Sequence, residues 1–83
     1  MFEDIYIAGG WTDVYDLISR PVGTVLTIQN KTGGLLYIWT QEELPLNENS
    51  GYVIKSMETI DIDASSLGCF VKGLGNIFIQ ETV

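Results

Sequence analysis

The sequence predicts an all-β fold, a small antiparallel β-sandwich or barrel of about six short strands, with an N-terminal arm and one short helix. Three observations predict it. Apolar and polar residues alternate along Thr59-Ile60-Asp61-Ile62-Asp63, as they do on a half-buried strand. Short runs rich in Val, Ile, Tyr and Thr are punctuated at regular intervals by Gly, Asn or Pro. The chain has 83 residues, enough for one hydrophobic core and too few for two.

The opening residues 1–10 read as an apolar arm in which Ile5 and Ile7 alternate like an edge strand, broken by Gly9-Gly10. Thr12 is placed to cap a helical turn over Asp13-Val14-Tyr15-Asp16-Leu17-Ile18, whose aspartates suit the positive end of a helix dipole. Val14, Leu17 and Ile18 then share one face. Pro21 and Gly23 stop the helix, and so short a helix holds only when docked on something larger. Residues 1–22 thus read as an arm with a short helix, and 23–83 as the β-domain.

From Gly23 the pattern is that of strands. Thr24-Val25-Leu26-Thr27-Ile28-Gln29 and Leu35-Leu36-Tyr37-Ile38-Trp39-Thr40 read as a hairpin joined by Asn30-Lys31-Thr32-Gly33-Gly34. Residues 41–51 carry Pro45 and the stretch Asn47-Glu48-Asn49-Ser50-Gly51, the composition of an exposed loop. Strands follow at Tyr52-Val53-Ile54-Lys55, at 59–63, at 67–72 and at 76–81. Gly73-Leu74-Gly75 reads as the turn of a second hairpin joining the last two.

Composition narrows the function. There is no histidine, the usual supplier of a group that titrates near neutrality, of a metal ligand or of a base for a nucleophile. No Gly-x-Ser-x-Gly elbow occurs, and a chain this short hardly builds the deep cleft that carboxylate-only hydrolysis needs. The expectation is a protein that is not an enzyme and uses no cofactor. Eleven acidic against four basic residues give a net charge of −7, and Arg20, Lys31, Lys55 and Lys72 are scattered singly. Nucleic acid and anionic membranes are therefore poor partners. No apolar run approaches the ~20 residues of a membrane span. The acidic start Met1-Phe2-Glu3-Asp4 does not read as a secretory signal, and a single cysteine forms no internal disulfide, so synthesis in the cytoplasm is expected.

Candidate chemical motifs are few. Gly33-Gly34 and Gly73-Leu74-Gly75 have strands on both sides, whereas a phosphate loop leads into a helix. Glu58, Asp61 and Asp63 form an acidic group, but the glycine-bearing loop of a calcium site is missing and a solvated strand face is the better reading. No metal site is expected. Cys69, between Gly68 and Phe70 with no base beside it, reads as a buried, inert thiol.

The apolar content of 46% and the mean hydropathy of +0.20 exceed what a small core hides. In the run 35–39, Leu36 and Ile38 can fill the core, which leaves Leu35, Tyr37 and Trp39 as an apolar row on the opposite face. The N-terminal arm or a second copy of the chain is expected to cover it. Trp11, Trp39, Tyr37 and Tyr52 are also the residues from which a sugar-stacking platform would be built.

The order Trp11-Thr12-Asp13-Val14-Tyr15, Pro21-Val22-Gly23-Thr24, Ile28-Gln29-Asn30-Lys31-Thr32, a loop with Gly51, and Gly75-Asn76-Ile77-Phe78-Ile79-Gln80-Glu81 resembles small virion structural proteins of tailed bacteriophages. The resemblance implies a compact β-fold without catalytic residues, found in the virion after synthesis in the host cytoplasm. Its implied partners are other virion proteins, the major capsid protein or a tail protein, together with further copies of itself as a homo-oligomer. A head decoration or cement protein fits best. The alternative is a small carbohydrate- or receptor-binding β-module of a tail or fibre. Trp11, Tyr37 and Trp39 are the expected interface anchors, with Leu35 and Phe78 as supporting apolar contacts.

Overall fold

The structure, a computed structural model, describes residues 2–46 and 51–81. The loop expected at Asn47-Glu48-Asn49-Ser50 lies outside them. The described residues form eight strands and one helix: β1 (Phe2–Ala8), β2 (Thr12–Asp13), α1 (Val14–Ile18), β3 (Leu26–Lys31), β4 (Leu36–Trp39), β5 (Tyr52–Ile54), β6 (Thr59–Ile62), β7 (Phe70–Lys72) and β8 (Leu74–Glu81). Two four-stranded antiparallel sheets result, the first in the order β1-β8-β3-β6 and the second in the order β2-β7-β4-β5. Of the small antiparallel sandwich or barrel read from the sequence, the sandwich is the fold observed.

Of all strand pairs consecutive in the chain, only β4 and β5 lie side by side; every other connection crosses from one sheet to the other. That interleaving is the double Greek key of a jelly roll. Both hairpins expected from the sequence are therefore replaced by crossings. β3 and β4 each turn an apolar row inward, Leu26 and Ile28 on one, Leu36 and Ile38 on the other, so they bury both rows by lying in opposed sheets. At the second glycine cluster, Leu74 and Gly75 are not a turn but the first residues of β8, paired with Ala8 and Ile7.

The N-terminal arm is structural. β1 pairs along its length with β8, from Phe2 opposite Gln80 to Ala8 opposite Leu74, and β2 pairs with β7. The β-domain thus begins at Phe2 rather than at residue 23, and two strands join the six read from the sequence. The arm reads as separate in sequence because no partner strand is adjacent to it in the chain, and β8 supplies the ladder from the other end.

Helix α1 is one turn and a half, and Asp13 rather than Thr12 caps it: the Asp13 carboxylate accepts from the Asp16 N–H at 3.3 Å. Its buried face is Val14, Tyr15 and Ile18, whereas Leu17 is exposed. Ser19, in the left-handed conformation with φ of 57°, ends it before Pro21 is reached. The Tyr15 hydroxyl donates to the Thr24 carbonyl at 2.6 Å, fixing the helix against the start of β3, and burial raises its pKa.

The core is the space between the sheets. Ile7, Leu26, Ile28, Ile62, Ile77 and Ile79 of the first sheet meet Leu36, Ile38, Ile54 and Val71 of the second, with Cys69 beside α1. Among the described residues one polar side chain is buried with them. Asn30 donates from Nδ2 to the carbonyls of Gly34 (2.7 Å) and Ile54 (3.0 Å), and its Oδ1 accepts from the Thr32 N–H (2.9 Å) and hydroxyl (2.7 Å). All its bonding capacity is used, so it costs the core little and fixes the β3–β4 crossing.

Candidate functional site

Strand pairing defines what the second sheet shows on its outer face. Tyr37 lies between Val53 and Lys72 in one cross-strand row, and Phe70 between Trp39 and Asp13 in the next. Leu35, on the same side as Tyr37, continues the strip and is half exposed. The Lys72 ammonium stands 5.1 Å from the centre of the Tyr37 ring, a cation–π distance. Leu35, Tyr37 and Trp39 are thus brought together as the sequence predicts. The arm does not cover them, because its strands are committed to the two sheets.

Trp39 has its own partner. Its indole N–H donates to the Glu43 carbonyl at 2.6 Å, which draws the segment 41–46 against the ring. Leu44, Pro45, Leu46 and Leu67 border an open depression beside it, and Leu46 is fully exposed. The aromatic strip therefore runs from Leu35 through Tyr37 and Trp39 onto a leucine-lined shelf at one end of the sandwich. Phe70, Val53 and these leucines are absent from the anchors read in the sequence. Phe70 was legible in principle, since Phe70-Val71-Lys72 alternates around a buried Val71.

The other two expected anchors lie elsewhere. Phe78 is on the outer face of the first sheet, between Asp4 and Gln29, so the sandwich separates it from Tyr37. Trp11 sits in the crossing from β1 to β2, half-buried, and its indole nitrogen has no hydrogen-bond partner among the described residues. The five residues make no single face.

A second concave feature opens at the side where the free edges of β5 and β6 approach each other. Ile60, Ile62, Gln41, Asp61, Asp63 and Ser65 are among its lining residues, and its volume is about 360 Å3. Tyr52, about two-thirds exposed, lines this cleft and an adjoining one of about 400 Å3 that reaches Trp39. The carboxylates are held in place: Asp61 accepts from the Thr27 hydroxyl at 2.8 Å, and Asp63 from the Ser65 N–H (2.9 Å) and hydroxyl (2.6 Å). Those bonds from Ser65 hold the Asp63 pKa below its ordinary value, the hydroxyl contributing most. Glu58 is turned away to the Lys55 N–H at 2.7 Å, so the acidic trio does not converge. Among the described residues no cluster suited to a metal ion occurs.

The Cys69 thiol is buried, and loss of hydration pushes its pKa up to about 12, with the Asp13 charge adding to the effect. It is a packing residue. Among the described residues no helix is long and apolar enough to cross a membrane. Comparison of the chain with family models, with curated proteins and with solved structures gives no match.

Proposed function

We propose that this protein is a non-enzymatic structural component of a phage particle, packing on a capsid or tail through its apolar aromatic strip, as a head decoration or cement protein does. The observation that carries the reading is the apolar strip on the outer face of the second sheet, in which exposed Leu35, partly buried Tyr37 and Trp39, and exposed Leu44 and Leu46 follow one another. An 83-residue domain has little stability to spare, and so much uncovered apolar surface fits a protein that spends its working life against neighbours. The jelly roll is one of the architectures from which viral capsid subunits are built, an argument by analogy of fold. The sequence resemblance to virion proteins points the same way.

The test is binding to phage particles stripped of their minor proteins, with the mass of the free protein measured by light scattering. The reading expects saturable binding, and a loss of at least tenfold in affinity for Leu35→Asp, whose exposed side chain is not needed by the core. A stable monomer that ignores particles, or a Leu35→Asp variant that binds as well as the parent, would overturn it.

One observation favours a second reading, a carbohydrate- or receptor-binding module of a tail or fibre. It is the cleft between β5 and β6, where an exposed aromatic ring stands beside fixed carboxylates.

A further inference from the structure

We propose that the two adjoining clefts lined by Tyr52 form a groove for a neutral oligosaccharide, with one sugar unit in each cleft and the tyrosine shared between them. The inference rests on the carbohydrate-binding reading and names the site and ligand class. Its first support is shape. The two hollows, about 360 and about 400 Å3, share Thr40, Gln41 and Tyr52 and so adjoin. Each is at the small end of the ~300–1,000 Å3 range of ligand pockets, the scale of a sugar unit rather than of a large cofactor.

The second support is the distribution of chemistry. A pyranose has an apolar face of C–H groups and a rim of hydroxyls that both donate and accept. The groove offers the complement, an exposed ring at Tyr52 with Trp39 beyond it, the partly buried Ile60, and carboxylate, hydroxyl and amide groups in its lining. Asp63 is tied down by Ser65, so this acceptor is oriented before a ligand arrives, which reduces the entropy lost on binding.

The third support is charge. Among the described residues neither hollow is lined by Lys or Arg, and the first carries Asp61 and Asp63 in a protein of net charge −7. Phosphate esters, sulfated sugars and uronic or sialic acids would be repelled. A neutral glycan is not.

The experiment is a titration of the intact protein with neutral, acidic and amino sugars, as monosaccharides and as oligomers, followed by amide chemical shifts. A broad glycan array run in parallel reports binding anywhere on the surface. Shifts from a neutral oligosaccharide are expected at Tyr52 and residues 60–67, with a disaccharide binding at least fivefold more tightly than its monosaccharide. Tyr52→Ala should weaken binding about tenfold or more, and Tyr52→Phe, which keeps the ring, should restore most of it. Preference for acidic sugars, preference for amines over neutral sugars, or equal binding by Tyr52→Ala would overturn the proposal. So would glycan binding whose shifts fall on another face, although that result would preserve the carbohydrate-binding reading. An array blank for every glycan would end both.

Discussion

At the scale of single residues, Asn30 holds more of the fold than any other polar side chain described. Its amide joins the β3–β4 crossing to the end of β5, and its own backbone bonds the turn before β6, accepting from the Met57 N–H at 2.6 Å and donating to the Glu58 carbonyl at 2.9 Å. Asn30→Ala removes four side-chain bonds and strands the Ile54 carbonyl in the interior, a loss of about 3 kcal/mol or more. Urea unfolding followed by tryptophan fluorescence checks this; a midpoint within error of the parent's would refute it. Asp63 predicts a pH effect of defined sign. Because its folded pKa is lowered, its bonds to Ser65 stabilise the fold fully above the ordinary aspartate pKa of about 3.9, and that contribution disappears as pH falls through the lowered folded value. Unfolding midpoints of the parent and of Asp63→Asn should therefore lie apart near neutrality and converge in acid below about pH 4. Curves that stay parallel down to pH 2 would contradict it. Gly51 carries a constraint of another kind: its φ is +97°, and a Cβ there would run into the Ile38 carbonyl, so only glycine enters β5 this way.

At the scale of elements, the sequence shows where strands are more clearly than which strands meet. Alternation exposes β6, and the buried pair Leu36 and Ile38 is legible because the intervening residues are large but placed one step off. Pairing is hidden because both glycine clusters have the composition of a hairpin turn, while the choice between turning back and crossing over depends on which faces must be buried together. That choice is made by long-range contacts and by Asn30, not by local turn chemistry. The candidate site was legible to the same degree: Tyr37 and Trp39 follow from strand periodicity, whereas the Tyr52 cleft needs two strand edges brought together from opposite sheets. β1 gives the sharpest test at this scale. Ile7 is buried at 2% exposure and packs with the core, so Ile7→Ala should cost about 2–4 kcal/mol. Equilibrium unfolding that shows no change would mean that the first strand is not docked on β8 in solution.

At the scale of the whole molecule, the two described ion pairs, Arg20 with Glu81 at 2.9 Å and Lys31 with Asp4 at 3.1 Å, are surface-exposed and contribute little on their own. Cohesion comes instead from the packed interior and from a chain path that stitches the sheets to each other at nearly every connection. One consequence follows from the register of β1 on β8. With Phe2 opposite Gln80, the chain enters and leaves the domain at the same corner, along two neighbouring antiparallel strands. Tension applied through that corner would peel β1 from β8 one hydrogen bond at a time, like a zipper, instead of loading the whole ladder in shear. The domain thus yields readily when pulled by its ends, and any device that relies on it to carry load must grip it elsewhere.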